Sequence, residues 1–281
     1  MPTTQPDPAD IKAAVDTALA EDLGTGDITT GAVIPADTRI NLVMVTRQDI
    51  VVAGLPVALE VFNRLAPDAD IALEVEDGAR IKAGTVMARL EGPAAGLLSG
   101  ERAALNILQI LSGIATLTRA YVDRIEGTGA VLLDTRKTVP GLRGLSKYAT
   151  ALGGATNHRM RLDDGVLIKD NHIAVAGSIR EATRRAKAAG LEGVQVECDS
   201  IDQVKEAIEA GADRLLLDNM APDLLRQAVT VADGRVPLEA SGGVTLETIR
   251  AIAETGVDTI SAGAITMAAP AVDIGLDLAE D

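Results

Sequence analysis

Val194-Gln195-Val196-Glu197, Leu215-Leu216-Leu217-Asp218, Pro237-Leu238-Glu239-Ala240-Ser241 and Thr259-Ile260-Ser261-Ala262-Gly263 are four short apolar runs, each ending on polar or small residues. They begin roughly 20 residues apart, room for one strand and one returning helix. The segments between them, near 201–210, 222–232 and 245–255, have amphipathic spacing, and a further helix is expected over 178–189. Gly190, Gly211 and Gly256 stand where a helix C-terminus favours a left-handed residue. Upstream, Val166-Leu167-Ile168 before Lys169 and Val131-Leu132-Leu133 before Asp134 repeat the pattern. Repeated βα units give a parallel sheet, and the expected fold is an α/β barrel.

The first hundred residues read differently. A helix is expected near 8–20, then the turn Gly24-Thr25-Gly26-Asp27, strands over 40–46, 50–53, 71–75 and 86–90, and a helix over 56–65. This mixed α+β segment forms a separate domain, joined to the barrel by a long helix over 98–125. Two motifs are set aside. Gly24-Thr25-Gly26 lacks the strand-then-helix context of a nucleotide fingerprint. The Asp77-to-Gly84 spacing resembles a biotinyl hairpin, but Lys82 lacks the flanking methionines of a carrier lysine.

Composition narrows the ligand. The chain carries 26 basic and 41 acidic residues, a formal charge of −15, so long polyanions such as DNA or RNA are repelled. Residues 134–172 reverse the local sign, with Arg136, Lys137, Arg143, Lys147, Arg159, Arg161 and Lys169 against Asp134, Asp163, Asp164 and Asp170. The same window holds both histidines, His158 and His172. That surplus suggests a pocket for a small, multiply anionic ligand. Without Trp, and with two Tyr and one Phe, planar ligands must be held by ion pairs and backbone donors. The single Cys198 excludes an internal disulfide, and with two histidines it cannot complete a zinc cage. No basic-then-apolar leader opens the chain, and no apolar run reaches the roughly 18 residues of a membrane span. The expectation is a soluble cytoplasmic protein with neither membrane nor nucleic-acid partner.

Barrels of this type place chemistry at the C-terminal ends of the strands. Here those ends carry Lys137, Lys169, Glu197, Asp218, Ser241 and Gly263. Arg136, His158 and Arg159 offer hydrogen-bond donors and charge for carboxylates. Arg136 and Lys137 are neighbours that point to different sides, so each can serve a different ligand. A unit-charge pair at about 4 Å contributes on the order of 4 kcal/mol at an effective dielectric near 20, before desolvation. Glu197 and Asp218 are acids among bases: metal ligands, ion-pair partners of the lysines, or acceptors for sugar hydroxyls that steady an anomeric cation. Ser241-Gly242-Gly243-Val244-Thr245 opens the expected helix 245–255 and, with Gly263, makes a phosphate site from backbone N–H groups. Together these suit transfer of a phosphoribosyl group to an anionic acceptor.

At this point the residues resemble the quinolinate phosphoribosyltransferase family. The resemblance runs through Glu21-Asp22-Leu23-Gly24, Gly26-Asp27-Ile28-Thr29-Thr30, Gly100-Glu101-Arg102-Ala103-Ala104-Leu105-Asn106 and Ser112-Gly113-Ile114-Ala115-Thr116. It continues in Asp134-Thr135-Arg136-Lys137-Thr138, Asn157-His158-Arg159, Leu167-Ile168-Lys169-Asp170-Asn171-His172, Leu217-Asp218-Asn219-Met220 and Glu239-Ala240-Ser241-Gly242-Gly243. It implies an N-terminal α+β sandwich over 1–104, joined by a returning tail at 268–281, and an incomplete TIM-like barrel over 105–267. It also implies a pentosyltransferase joining quinolinate to phosphoribosyl pyrophosphate, with nicotinate mononucleotide, pyrophosphate and CO2 as products. Magnesium is implied and no organic cofactor is needed. The assembly is a homodimer or hexamer in which Arg102 reaches the partner subunit's site.

By the same resemblance, Thr135, Arg136, His158, Arg159 and Lys169 bind quinolinate and Lys137 lies near pyrophosphate. Glu197 and Asp218 face the ribose hydroxyls and the metal. Ser241, Gly242 and Gly243, with Ala262, Gly263 and Ala264, hold the 5′-phosphate. Lys137, Lys169, Glu197 and Asp218 are the catalytic candidates. Met267 stands where family members commonly carry a histidine. Arg161, Asp163 and Ala155 also depart from the usual pattern. The rivals are a molybdenum-transport-associated paralogue on the same scaffold, a Schiff-base aldolase using Lys169 or Lys137, and a ligand-binding protein without turnover.

Overall fold

The computed structural model describes residues 5–279. In chain order the elements begin with α1 (Pro8–Leu23), α2 (Ile28–Val33), β1 (Arg39–Thr46), β2 (Ile50–Val51), α3 (Leu55–Leu65), β3 (Asp70–Leu73), β4 (Arg80–Ile81), β5 (Val86–Pro93) and α4 (Ala94–Ile125). Next come β6 (Val131–Leu133), α5 (Arg143–Leu152), β7 (Leu167–Ile168), α6 (Asp170–Ala176), α7 (Ile179–Ala188), β8 (Gln195–Cys198) and α8 (Ile201–Glu209). The chain closes with β9 (Arg214–Asp218), α9 (Pro222–Ala232), β10 (Leu238–Ser241), α10 (Ile249–Ala253), β11 (Thr259–Ser261), α11 (Ala264–Met267) and β12 (Ile274–Leu278).

Two compact units result. The first comprises residues 1–119, 138–154 and 266–281, and the second 120–137 and 155–265. The expected division at 104/105 falls inside α4, whose first 26 residues belong with the first unit. Buried Leu97, Leu105, Leu108 and Leu111 explain that membership, since they sit in the core cluster with Val61 and Phe62 of α3.

In the first unit an antiparallel sheet runs β12-β1-β5-β3. The tail pairs with β1 in this sheet, Leu42 with Leu278 and Thr46 with Ile274. Gly113 allows that return: a Cβ there would stand 2.1 Å from the Pro270 carbonyl oxygen. Asp7 starts α1 by accepting the Ala9 N–H at 2.8 Å, and Asp27 starts α2 by accepting the Thr30 N–H at 2.9 Å. The biotinyl look-alike is a surface turn in which Lys82 donates to Asp49 at 2.7 Å. Among the described residues α4 is long and apolar enough to cross a membrane by length and composition alone. Its most apolar window is 61% buried within the protein, as in a core helix.

In the second unit six parallel strands follow the order β6-β11-β10-β9-β8-β7, an open α/β barrel. Ser178 and Ser200 cap α7 and α8 through the Glu181 and Gln203 N–H groups. Gly190 and Gly211 take positive φ just past those helices, as their positions require. Sequence reading missed α2, α5, α6, α11, β4 and β12 as elements. The expected helix over 245–255 shrinks to α10, because residues 245–248 form a turn in which Thr245 Oγ1 and Thr248 Oγ1 bond to each other's backbone N–H groups.

Candidate active site

Register aligns the strand ends of the second unit. Glu197 stands opposite Leu216 and Leu216 opposite Glu239, so the three share one rung and one face of the sheet. Asp218, Ser241 and Ser261 stand one rung pair further toward the C-terminal rim. Gln195 confirms the shared face, reaching across β9 to donate from Nε2 to Glu239 Oε2 at 2.9 Å.

Lys169 follows β7 and donates from Nζ to Glu197 Oε2 at 2.6 Å. Its backbone N–H is received by His172 Nδ1 at 2.9 Å, so the second histidine holds the start of α6. A lysine engaged as an ammonium donor is poorly set to attack a carbonyl, which argues against the aldolase reading. Asp218 Oδ2 accepts Asn219 Nδ2 at 2.6 Å, and Asn219 holds a positive φ of 53°. That turn is locked from β10, with the Asn219 N–H donating to the Ser241 carbonyl at 2.8 Å. Gly242 leaves room for it: a Cβ there would lie 2.3 Å from Asn219 Oδ1.

After β6, Asp134 is fully buried and accepts from Asn157 Nδ2 at 2.6 Å and from the His158 N–H at 2.8 Å. Thr135 Oγ1 accepts the Lys137 N–H at 3.0 Å and turns the chain. Lys137 then lies along Gly263, where a Cβ would stand 2.8 Å from its Cδ. Arg136 instead acts on Arg159. Burial first, and the Arg136 charge second, push the Arg159 guanidinium below its ordinary range, with Asp164 offsetting only part. Neighbouring Arg136 and Lys137 thus face different residues, Arg159 and Gly263. Arg159 Nη1 also donates to the Gly165 carbonyl at 2.9 Å.

Several expected members lie on other elements. Arg143 and Lys147 are on α5 in the first unit, Arg143 bonded to Thr138 and Lys147 only 1% exposed. Arg102 is on α4 in the first unit beside Glu101. Arg161 is exposed in a turn whose backbone N–H groups bond Asp164. Ala155 is buried, and Met267 is 59% exposed at the end of α11. Ala262 donates its N–H to Leu133 at 3.1 Å, and Gly263 and Ala264 lead into α11. Sequence reading missed Glu239 and Asn219. A charged residue between buried Leu238 and Ala240, facing the same way as Ser241, was the available signal for Glu239.

Among the described residues no cluster of three or more His, Cys, Asp or Glu forms a metal cage. Two oxygen ligands, Glu197 and Asp218, on adjacent strands suit Mg²⁺, which keeps several waters and uses one or two carboxylates together with substrate phosphates.

Comparison with known proteins agrees with this geometry. Residues 27–112 match the quinolinate phosphoribosyl transferase N-terminal domain, and residues 114–277 match the C-terminal domain. The chain is 45% identical over 276 residues to the nicotinate-nucleotide pyrophosphorylase (carboxylating) of Mycobacterium leprae, covering 95% of this chain and 97% of that protein. The solved nicotinate-nucleotide pyrophosphorylase of Francisella tularensis superposes with a TM-score of 0.92 at 39% identity, covering 96% of each chain. That of Ehrlichia chaffeensis does so with 0.92 at 42% identity, covering 95% of this chain and 98% of its own. The chain belongs to the quinolinate phosphoribosyltransferase family.

Proposed function

We propose that this chain transfers the phosphoribosyl group of phosphoribosyl pyrophosphate to quinolinate, with loss of CO2, giving nicotinate mononucleotide and pyrophosphate for NAD synthesis. It is a pentosyltransferase. The observation that carries the reading is Arg159 held beside Arg136: two cations at one rim, one of them partly desolvated, are relieved by a ligand with two negative arms. A paralogue handling a different substrate is disfavoured by close relatives that are all named for the quinolinate reaction.

Arg136, Arg159 and Lys169 grip the two carboxylates, with Thr135 and His158 beside them. Arg102 is contributed by a partner subunit in a homodimer or hexamer. Glu197 and Asp218 accept from the ribose hydroxyls and steady the cation-like anomeric carbon as the pyridine nitrogen attacks. Ser241, Gly242 and Gly243, with Ala262, Gly263 and Ala264, receive the 5′-phosphate on backbone N–H groups. Lys137 lies beside the departing pyrophosphate. Glu197 and Asp218 would also hold Mg²⁺, which supplies charge neutralisation of the pyrophosphate. The pyridinium formed by transfer stabilises the electron pair left on its ring carbon when the adjacent carboxylate departs as CO2, and a proton from water then fills that position, so no organic cofactor is required. The multiply charged substrates do not cross a bilayer unaided, which favours a cytoplasmic protein.

The test is binding. Arg136→Ala should weaken quinolinate by about 100-fold while phosphoribosyl pyrophosphate changes little, as loss of a desolvated charged contact demands. Unchanged quinolinate affinity overturns the clamp. For the assembly, mixing Arg102→Ala with Lys169→Ala subunits should restore activity in verified mixed oligomers, and no recovery excludes a shared site.

A further inference from the structure

Glu239 has no place in the scheme above, yet it is a carboxylate with only 5% of its side chain exposed, in the middle of a buried strand. Among the described residues, its carboxylate is met by His158, Gln195 and Ser261. Its Oε1 is buried with no hydrogen-bond partner. Burial alone would raise its pKa, but the hydrogen bond from His158 leads the opposing effects and the group ends below its ordinary range. A carboxylate buried on a barrel strand is costly where an apolar side chain of similar size would serve packing.

What Glu239 holds is the His158 ring. His158 Nδ1 accepts the Arg159 N–H at 2.8 Å, so that nitrogen carries the lone pair. A ring proton then sits on Nε2, which lies 3.3 Å from Glu239 Oε2. Asp134 fixes the His158 backbone from the other end. Without the carboxylate the ring proton could move to Nδ1, where it would face the Arg159 N–H donor against donor. A carboxylate that selects one imidazole tautomer is a known way for a buried acid to act through histidine.

We infer that Glu239 is a positioning residue of the anion site: it fixes the His158 tautomer, and His158 in turn fixes the backbone of Arg159 and so aims its guanidinium. Both ring nitrogens are engaged by the protein, so His158 serves Arg159 rather than holding a substrate carboxylate with either nitrogen. This rests on the proposed quinolinate clamp for its kinetic consequence but not for its structural one.

The experiment is ¹⁵N NMR of the imidazoles in the full-length protein, assigned with His172→Asn, together with steady-state kinetics of Glu239→Leu, which removes the acceptor that a glutamine would keep. In wild type, Nδ1 of His158 should be unprotonated and Nε2 should carry a proton. Glu239→Leu should lose that single-tautomer signature and raise the quinolinate KM about 10-fold, leaving the phosphoribosyl pyrophosphate KM within about twofold. A wild-type Nδ1 that carries the proton overturns the inference, and this reading stands even if the variant fails to fold. Unchanged quinolinate KM, or equal rises in both KM values with a lowered Tm, also overturns it and leaves Glu239 a packing residue. If wild type turns over no quinolinate, the proposed reaction fails, while the tautomer measurement still decides the Glu239–His158 link.

Discussion

Lys169, just past β7, and Glu197, on the neighbouring strand β8, meet at 2.6 Å, with the Glu197 side chain 11% exposed and the Lys169 side chain 48% exposed. The lysine thus spans the gap between the buried acid and the open rim. In the proposed reaction it answers Glu197 before substrate arrives and divides its donors between acid and quinolinate afterwards. Lys169→Met leaves Glu197 unpaired and the anion site one cation short. Its kcat/KM for quinolinate should fall by about 100-fold or more, measured by release of pyrophosphate.

Gly263 and Gly242 separate two kinds of crowding. A methyl at Gly263 meets only the flexible stem of Lys137, and its backbone is not left-handed. Gly263→Ala should fold with nearly wild-type Tm and raise the KM for phosphoribosyl pyrophosphate. Gly242 has φ +88° and faces the Asn219 amide. Gly242→Ala should lose about 2 kcal/mol of stability or more in denaturant melts.

Asn219 holds its left-handed backbone and its bond to Asp218 at the same time. Asn219→Gly keeps the first and removes the second, so it should retain stability while kcat falls. Asn219→Ala removes the bond and strains the backbone, adding roughly 1 kcal/mol of destabilisation. Equal kcat in Asn219→Gly and wild type would show that Asp218 needs no such support.

Cys198 is fully buried, and burial first, then the charges of Asp199, Glu197 and Glu206, push its thiol up to about 12. A raised thiol pKa leaves little thiolate, the nucleophilic form. Native protein at about pH 8 should therefore resist alkylation, and labelling should appear only with unfolding. Rapid labelling of the folded protein would contradict the placement of β8.

The barrel was legible because its strands are aliphatic runs buried on both faces, closed by polar residues at regular intervals. Leu215-Leu216-Leu217 before Asp218 shows both features. Cations at strand ends were legible too, since Lys169 could be placed by counting βα units. Lys147 was not: its charge suggested the pocket, but α5 buries it, and a helix with a lysine on its buried side reads as a solvated one. The helix expected from 245 was overextended because Thr245 and Thr248 satisfy one another before α10 begins. Glu239 escaped notice because its partners, His158 and Gln195, come from distant chain segments that only the folded barrel brings together.

The most direct measurement supplies quinolinate, nicotinate and nicotinamide separately with phosphoribosyl pyrophosphate and follows pyrophosphate and CO2. Paired arginines at the rim predict that quinolinate alone gives both products, in equal amounts and with nicotinate mononucleotide. Comparable turnover of nicotinate, or binding of quinolinate without product, would contradict it.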